Sequence, residues 1–362
     1  MSAPAATEIM VWPRTIERWT ETRPAEVAEW NMRLLNTEAS YMQYPYFSES
    51  YRRLHFQPNY LAWYDERNCD AYVCILTVGV AGLRVGIVPR GPISLNGMRL
   101  PDHALQALYI WAKRNHYVFL RFTHSDAELL DRIATVGPSE RRDGFPLYTD
   151  TGAADHELVV NQLPDDAQML ASFDREARRK IRRASEVGYT IEVDDAPEFL
   201  QSVWPLFMSC AKRKGFELYR PPDAYMEIVR LARPYKCVRI YIASLRGVPV
   251  EALFIIRDRS TAFCYLAALQ LDRLQGKPSP SVLLHWRAMR DLYHEGCRYY
   301  SFGPGEGGVG QFKMLFSPQR VTYPPPVTLI INQPLYDLWS VVKPSLLGVW
   351  PTLKLWIAKT IH

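Results

Sequence analysis

A lysine set beside a run of glycines is where the 362-residue chain most plainly invites chemistry. Lys313 follows Gly303, Gly305, Gly307, Gly308 and Gly310, five glycines within eight residues, with Pro304 among them. Such a loop brings backbone N–H groups close to a ligand because no Cβ stands in the way. Gln311-Phe312-Lys313 then adds one cation and one aromatic face. That pairing suits an anion, or a carbonyl oxygen that gains negative charge during acyl transfer. A surface hairpin tip with a solvated lysine is the plainer alternative, since no P-loop or dinucleotide fingerprint matches here.

Two other stretches carry charge in a usable form. Arg175, Arg178, Arg179, Lys180, Arg182 and Arg183 place six cations in nine residues against the single Glu176. Like charges four apart on a helix repel, so this face is suited to an anionic partner as well as to solvent. Lys214 to Asp223 is a proline-stiffened loop whose Arg220 can fork to a phosphate. His55, His124, His285 and His294 have no partnering Cys, Ser or Asp pattern and read as structural.

The elements that must hold these groups follow from periodicity. Strands are expected at Tyr60–Tyr64, Ala71–Val78 and Leu83–Val88, with a turn at Ala81-Gly82, and again at Val118–Phe122. A helix from Asp102 to about Asn115 lies between the third and fourth of these. A second set follows: strands at Val238–Leu245, Val250–Arg257 and Ala262–Ala268, a helix from Ser281 to Glu295, then the strand Tyr299–Phe302 into the glycine loop. The order strand, strand, strand, helix, strand therefore occurs twice, which makes two copies of one α/β unit the simplest architecture. A helix from Asp165 or Asp166 to Gly188 carries the apolar stripe Leu170, Phe173, Ala177, Ile181 and Ala184, and the cations lie opposite. The segment Val321–Val327 suits a strand returning to one of the sheets. Residues 335–361 suit a terminal amphipathic helix, in which Trp339, Trp350 and Trp356 alternate with Lys343, Lys354 and Lys359.

Composition is that of a globular protein, 48% apolar and 22% charged, with 43 Lys plus Arg against 38 Asp plus Glu for a net charge of +5. The six cysteines lie singly, without C-x-x-C spacing or histidine at ligand distance, which points to reduced thiols and away from zinc. No secretory signal is recognisable at the N-terminus, and the expected location is cytoplasmic, at most against the inner face of the membrane.

Four motifs, in this order, carry a resemblance. They are Val88-Pro89-Arg90-Gly91-Pro92, the helix Arg178-Arg179-Lys180-Ile181-Arg182-Arg183-Ala184-Ser185-Glu186-Val187-Gly188, Lys214-Gly215-Phe216, and Gly310-Gln311-Phe312-Lys313 followed by Phe316. From about Tyr41 to Leu335 the chain resembles the FemABX peptidyltransferase family and related acyltransferases of the GNAT superfamily. The resemblance implies two tandem GNAT-like domains packed side by side: residues 1–155 with 320–335 returning, residues 156–319, and a C-terminal amphipathic tail at 336–362. It implies transfer of an aminoacyl group from aminoacyl-tRNA to the amine of a cell-wall precursor, without metal. A surface polysaccharide or a small natural product is an alternative acceptor.

By position, Phe312 and Lys313 would stand at the acyl-transfer centre. Arg220, Tyr225 and Tyr265 would hold the acceptor with Arg52 or Arg53, while the cation run itself, Arg179 and Arg182 included, suits phosphate or nucleic acid. The loop at Arg273 and Gly276 is similar to the turn that cradles the CoA diphosphate in GNAT enzymes, with Pro278 replacing its last small residue, so an acyl-CoA donor is the other expectation. Glu251, Asp272 and Glu306 are the acids that could take the amine proton. Alternative roles are a non-catalytic RNA- or membrane-binding module and an acyl-CoA-dependent N-acetyltransferase.

Overall fold

Alternating and continuous apolar runs of nine to thirteen residues cannot be covered on one face alone, and here they pair into two sheets, each flanked by helices. The structure, a computed structural model, describes residues 18–340 apart from 22–26, 66–67, 81–82, 142–154, 216–217, 219 and 306. The turn expected at Ala81-Gly82 thus lies outside the described residues. In chain order the strands are β1 Arg18–Glu21, β2 Gln57–Asp65, β3 Asn68–Val80, β4 Leu83–Pro89, β5 Ile93–Ser94, β6 Tyr117–Thr123 and β7 Ser139–Arg141. They continue with β8 His156–Asn161, β9 Thr190–Asp194, β10 Val238–Leu245, β11 Val248–Arg257, β12 Thr261–Leu269, β13 Tyr299–Ser301, β14 Gln319–Thr322 and β15 Val327–Ile330. The first sheet runs β1-β2-β3-β4-β6-β15-β7, with β5 on β3, and the second β14-β8-β13-β12-β11-β10-β9.

The internal repeat is visible in the pairing. In the first sheet β2, β3 and β4 are antiparallel, and the helix Asp102–Arg114 carries the chain to β6, which lies parallel to β4. In the second, β10, β11 and β12 are antiparallel, and the helix Ser281–His294 carries the chain to β13, parallel to β12. A parallel pair needs such a crossover, so helix and parallel strand come as one unit.

One apolar cluster spans both halves: Tyr44, Phe47 and Tyr72 of the first pack with Tyr225, Ile240 and Phe254 of the second. Each fully buried ring of this kind stabilises by about 2 kcal/mol. Polar clasps close the seam, with Tyr46 Oη donating to the Arg257 carbonyl at 2.9 Å and Arg259 Nη1 to the Asn36 carbonyl at 3.1 Å.

Two expectations are corrected. The helix anticipated from Asp165 to Gly188 is two, Asp166–Ser172 and Arg175–Ser185. Phe173 is extended (ψ 157°), and Asp174 caps the second helix by accepting from Glu176 N at 2.7 Å, a local alternative that competes with continuing the first helix. The apolar stripe survives the break, with Phe173, Ala177, Ile181 and Ala184 buried. Residues 319–322, placed partly in the returning segment, instead extend the second sheet by pairing with β8; only β15 crosses back, between β6 and β7. Of the C-terminal tail, residues 333–340 are helical and lean Tyr336 and Trp339 against Phe119, at ring distances of 5.5 and 6.2 Å. The rest of the expected tail, 341–362, lies outside the described residues. Among the described residues no helix is long and apolar enough to cross a membrane.

Candidate acyl-transfer site

The ladder between parallel β12 and β13 stops at Phe263–Ser301, although β12 runs on to Leu269. Next to that point β12 bulges: Ile255 faces Cys264 and Phe254 faces Leu266, so Tyr265 is the inserted residue. A bulge bends its strand and re-aims a side chain, and the carboxyl ends of parallel strands are where α/β sheets receive ligands. Cys264 accordingly packs with the second half's own core, while Tyr265 turns to the core shared with the first half.

From β13 the chain enters the glycine segment, which is less of a loop than the sequence suggests. Gly307–Met314 is helical, and the helix folds back on Gly303–Gly305. A Cβ on Gly310 would stand 2.9 Å from the Gly305 carbonyl oxygen, and one on Gly305 would stand 2.9 Å from Leu158 Cδ1 and 3.0 Å from Lys313 Cδ. These two glycines serve close backbone packing, and the glycine run is a folded hook. We expect Gly310→Ala to push helix and hook apart. Overpacking of this kind costs about 1–3 kcal/mol, read as a lower melting temperature, together with loss of whatever activity Lys313 supports.

The hook fixes Lys313. Its ammonium donates to the carbonyls of Phe302 and Pro304, each at 2.5 Å. An ammonium has three donors, so one N–H is left, with no protein partner among the described residues. Burial lowers the Lys313 pKa, Cys264 and then Glu157 oppose that shift, and Lys214 adds to it. Phe312 beside it packs on His285 at 5.6 Å and edge-on to Phe316 at 5.7 Å. His285 is buried with Nδ1 2.8 Å from Tyr300 Oη, and burial, helped by Lys313, pushes its pKa down to about 3. It is a neutral wedge under the aromatic floor, which agrees with its structural assignment.

Arg220, Tyr225 and Tyr265 come together at the seam between the halves. The Arg220 guanidinium donates from Nη1 to Ser50 Oγ at 2.6 Å and from Nε to Tyr265 Oη at 3.1 Å, and lies 3.9 Å from the centroid of Tyr51. Arg220 is only 2% exposed, so it clasps the first half before it can meet anything else. Tyr225 is buried and packs on Trp204 and Tyr265. Arg53, on the turn that carries Ser50, is about half exposed, 3.7 Å from Asp223.

The cationic helix is partly spent on itself. Arg179 forks to Glu176 at 2.6 and 2.7 Å, and Arg178 Nη1 caps the preceding helix through the Ala171 and Phe173 carbonyls. Arg182 is exposed with Arg175 and Arg183.

The segment before the helix Ser281–His294, where the resemblance would seat a diphosphate, is crowded with internal bonds. Arg273 Nη1 donates to the Pro249 carbonyl at 2.8 Å, and Gly276 supplies a left-handed turn at φ +73°. Pro278 and Pro280 have no N–H, and Lys277 N and Ser281 N are bonded to the Leu274 carbonyl and Ser279 Oγ. Ser281 Oγ donates to Glu251 at 2.8 Å, and burial raises that carboxyl to a pKa of about 8. Two missing N–H groups and two committed ones leave this helix start few donors for a diphosphate, and the residues present do not fit one. Of the other expected proton acceptors, Asp272 is exposed and Glu306 lies outside the described residues. Among the described residues no group of His, Cys, Asp or Glu could hold a metal ion.

Three further residues border the hook. Glu157 on β8 accepts from Ser301 Oγ at 2.7 Å and stands 3.6 Å from Arg90 of the first half. A carboxylate inside the apolar strand His156–Asn161, and an arginine locked in Pro-Arg-Gly-Pro, were the signals in the sequence that could have singled them out.

Residues 171–314 match a family described as an acetyltransferase (GNAT) domain. No curated protein matches the chain by sequence. Among solved structures, FemX superposes with a TM-score of 0.75 at 14% identity, over 89% of this chain and 99% of FemX. L-PGS from Bacillus licheniformis gives 0.53 at 14% identity, over 88% and 95%. A tandem GNAT protein from the clavulanic acid biosynthesis pathway gives 0.50 at 11% identity, over 87% and 98%. The doubled sheets, the crossover helix and the family match on the second half together make this a chain of tandem GNAT fold that resembles FemX, with a second half similar to an acetyltransferase (GNAT) domain.

Proposed function

We propose that the chain transfers an aminoacyl group from the ester of an aminoacyl-tRNA to the amine of a phosphate-bearing acceptor such as a peptidoglycan precursor. The supporting observation is the Lys313 ammonium, pinned by two carbonyls of the hook with one donor left over. The acceptor amine attacks the ester carbonyl carbon, and the C–N bond forms as the carbonyl oxygen becomes an oxyanion. The remaining Lys313 N–H stabilises that oxyanion until it collapses and expels the ribose oxygen. The amine loses one proton and the leaving oxygen gains one, so the step balances without a redox partner. Phe312 provides the apolar wall that keeps water from the ester.

The seam carries the acceptor in this reading. Arg53 offers the exposed charge for its phosphate, and Arg220, Tyr225 and Tyr265 hold the seam together behind it. Arg182, with Arg175 and Arg183, offers the face for RNA, Arg179 remaining tied to Glu176. The halves 1–155 with the returning strand β15, and 156–322, act as acceptor-side and donor-side domains, and the tail 336–362 is the segment that would meet the membrane where lipid-linked precursors reside. The protein would then work in the cytoplasm. Acyl-CoA is the less favoured donor because Pro278 and Pro280 lack N–H groups and Lys277 N and Ser281 N are already bonded, which leaves few donors for its diphosphate.

The deciding experiment offers the protein aminoacyl-tRNA or acyl-CoA with a diphosphate-bearing muropeptide and reads the acceptor by mass spectrometry. A mass gain from aminoacyl-tRNA alone is expected, with tRNA binding that weakens steeply as salt rises. A gain from acyl-CoA alone would move the chain to N-acetyltransferase chemistry. Salt-sensitive RNA binding with no gain from either donor would make it a binding module.

A further inference from the structure

Glu157 stands where the two halves and the lysine hook meet. From the first half, Arg90 reaches it with Nη2 at 3.6 Å from Oε1. Arg90 is 7% exposed and has its guanidinium 3.5 Å from the centroid of Tyr323. Its backbone is in the left-handed region at φ +57°, with its N–H held by Thr123 Oγ1 at 3.2 Å. A non-glycine residue in that conformation persists only when its surroundings fix it. Here they point a buried cation across the seam.

On the other side the carboxylate is tied to the hook. Oε2 accepts from Ser301 Oγ at 2.7 Å, the same hydroxyl accepts from Gly303 N at 3.1 Å, and Phe302 and Gly303 bond to Leu158 of the same strand. The carbonyl of Phe302 is one of the two that grip Lys313. An unbroken path of short bonds therefore leads from the carboxylate to the hook, and the carboxylate also faces the ammonium electrostatically. A buried Arg–Glu contact is costly in desolvation and repays that cost only where its geometry is excellent, so this pair, at 3.6 Å, is better explained by what it positions than by stability.

We infer that Glu157 is the positioning residue for Lys313, and that through the Arg90–Glu157 contact the first half sets the place and the charge of the acyl-transfer ammonium. The inference rests on the role proposed above for Lys313, but its physical content is separable from turnover. Among the described residues, four charged or titratable groups interact electrostatically with Lys313: Glu157 from β8, Cys264 from β12, Lys214 from the helix Pro197–Lys214 and His285 from the helix Ser281–His294. Burial keeps His285 neutral and holds the Cys264 thiol up to about 11. Glu157 is the one carboxylate of the four, and a carboxylate charge favours the charged lysine.

The test is competitive acetylation of the intact protein with acetic anhydride across pH, with the Lys313 peptide followed by mass spectrometry. Its reactivity midpoint in Glu157→Gln should move to lower pH than in the parent, because the uncharged amide no longer supports the ammonium. Glu157→Asp, which keeps the charge one methylene further away, should move it the same way by less. In a transfer assay, both Glu157→Gln and Arg90→Met should lower kcat roughly 10- to 100-fold with KM little changed, as expected when a reacting group is displaced by about an ångström. An unmoved midpoint in both Glu157 variants would overturn the inference whatever the parent's activity. A shifted midpoint in a protein that transfers nothing would leave it standing and sink the transferase reading instead.

Discussion

Lys313→Met is expected to lower the acyl-transfer rate about 10²- to 10³-fold while acceptor binding stays near its parent value, the loss associated with removing one preorganised donor to an oxyanion. Methionine matches the length and apolar stem of lysine, so packing against Gly305 and the Leu158 region should survive. The three donors vanish, and with them both the anchor to Phe302 and Pro304 and the remaining N–H. Lys313→Arg separates the two losses: it keeps charge, but its planar fork cannot reproduce the compact geometry of an ammonium between two carbonyls, so partial activity is expected at best. Steady-state kinetics with acceptor binding measured by calorimetry checks both. A Lys313→Met protein that turns over at the parent rate would remove Lys313 from the chemistry.

A second large effect should appear in stability against pH. Burial raises Glu251 to about 8 and Asp258 to about 7, so both are protonated in the fold at acidic pH. For a carboxyl with a raised folded pKa, the native state binds the extra proton, and the advantage is lost as pH rises through the folded value. His285, about 3 in the fold, and His124, about 4, run the other way: their stability is present above 6.5 and is lost as pH falls. Between 4.5 and 6.5, the ordinary values of Glu and His, the two trends offset one another. Urea unfolding should therefore show a plateau across that interval and a decline on either side. The stability lost through Glu251 alone by alkaline pH is on the order of 5 kcal/mol. Glu251→Gln keeps an acceptor for Ser281 Oγ and should flatten the alkaline limb; an unchanged limb would mean that the carboxyl is not buried as described.

Most of the skeleton was legible in order and spacing. The strand Val238–Leu245 coincides with its expected span, and the neighbouring strands and the helices at Asp102 and Ser281 fall within two residues of theirs. These are long apolar segments whose burial leaves one period that works. The break at Phe173-Asp174 was not foreseen because its apolar stripe continues through both helices; only the capping carboxylate marks the interruption, and a capping residue contributes about 1 kcal/mol, less than the stripe's burial. Lys313 was marked by its glycines, but for another reason than the one the fold uses. They allow backbone to lie against backbone, and the lysine is thereby held rather than left on a supple loop.

What the chain determined by itself was the doubled α/β unit, the lysine beside glycine and the cationic face, because each depends on neighbours a few residues apart. The tertiary structure alone decided that Arg220 is a clasp inside the seam, that Glu251 occupies the start of the Ser281 helix, and that Arg90 and Glu157, 67 positions apart in sequence (157 − 90), meet beside the hook. Those contacts lie across sheets and halves. Their energies turn on burial and on a few ångströms of separation, and neither quantity exists until the chain has closed on itself.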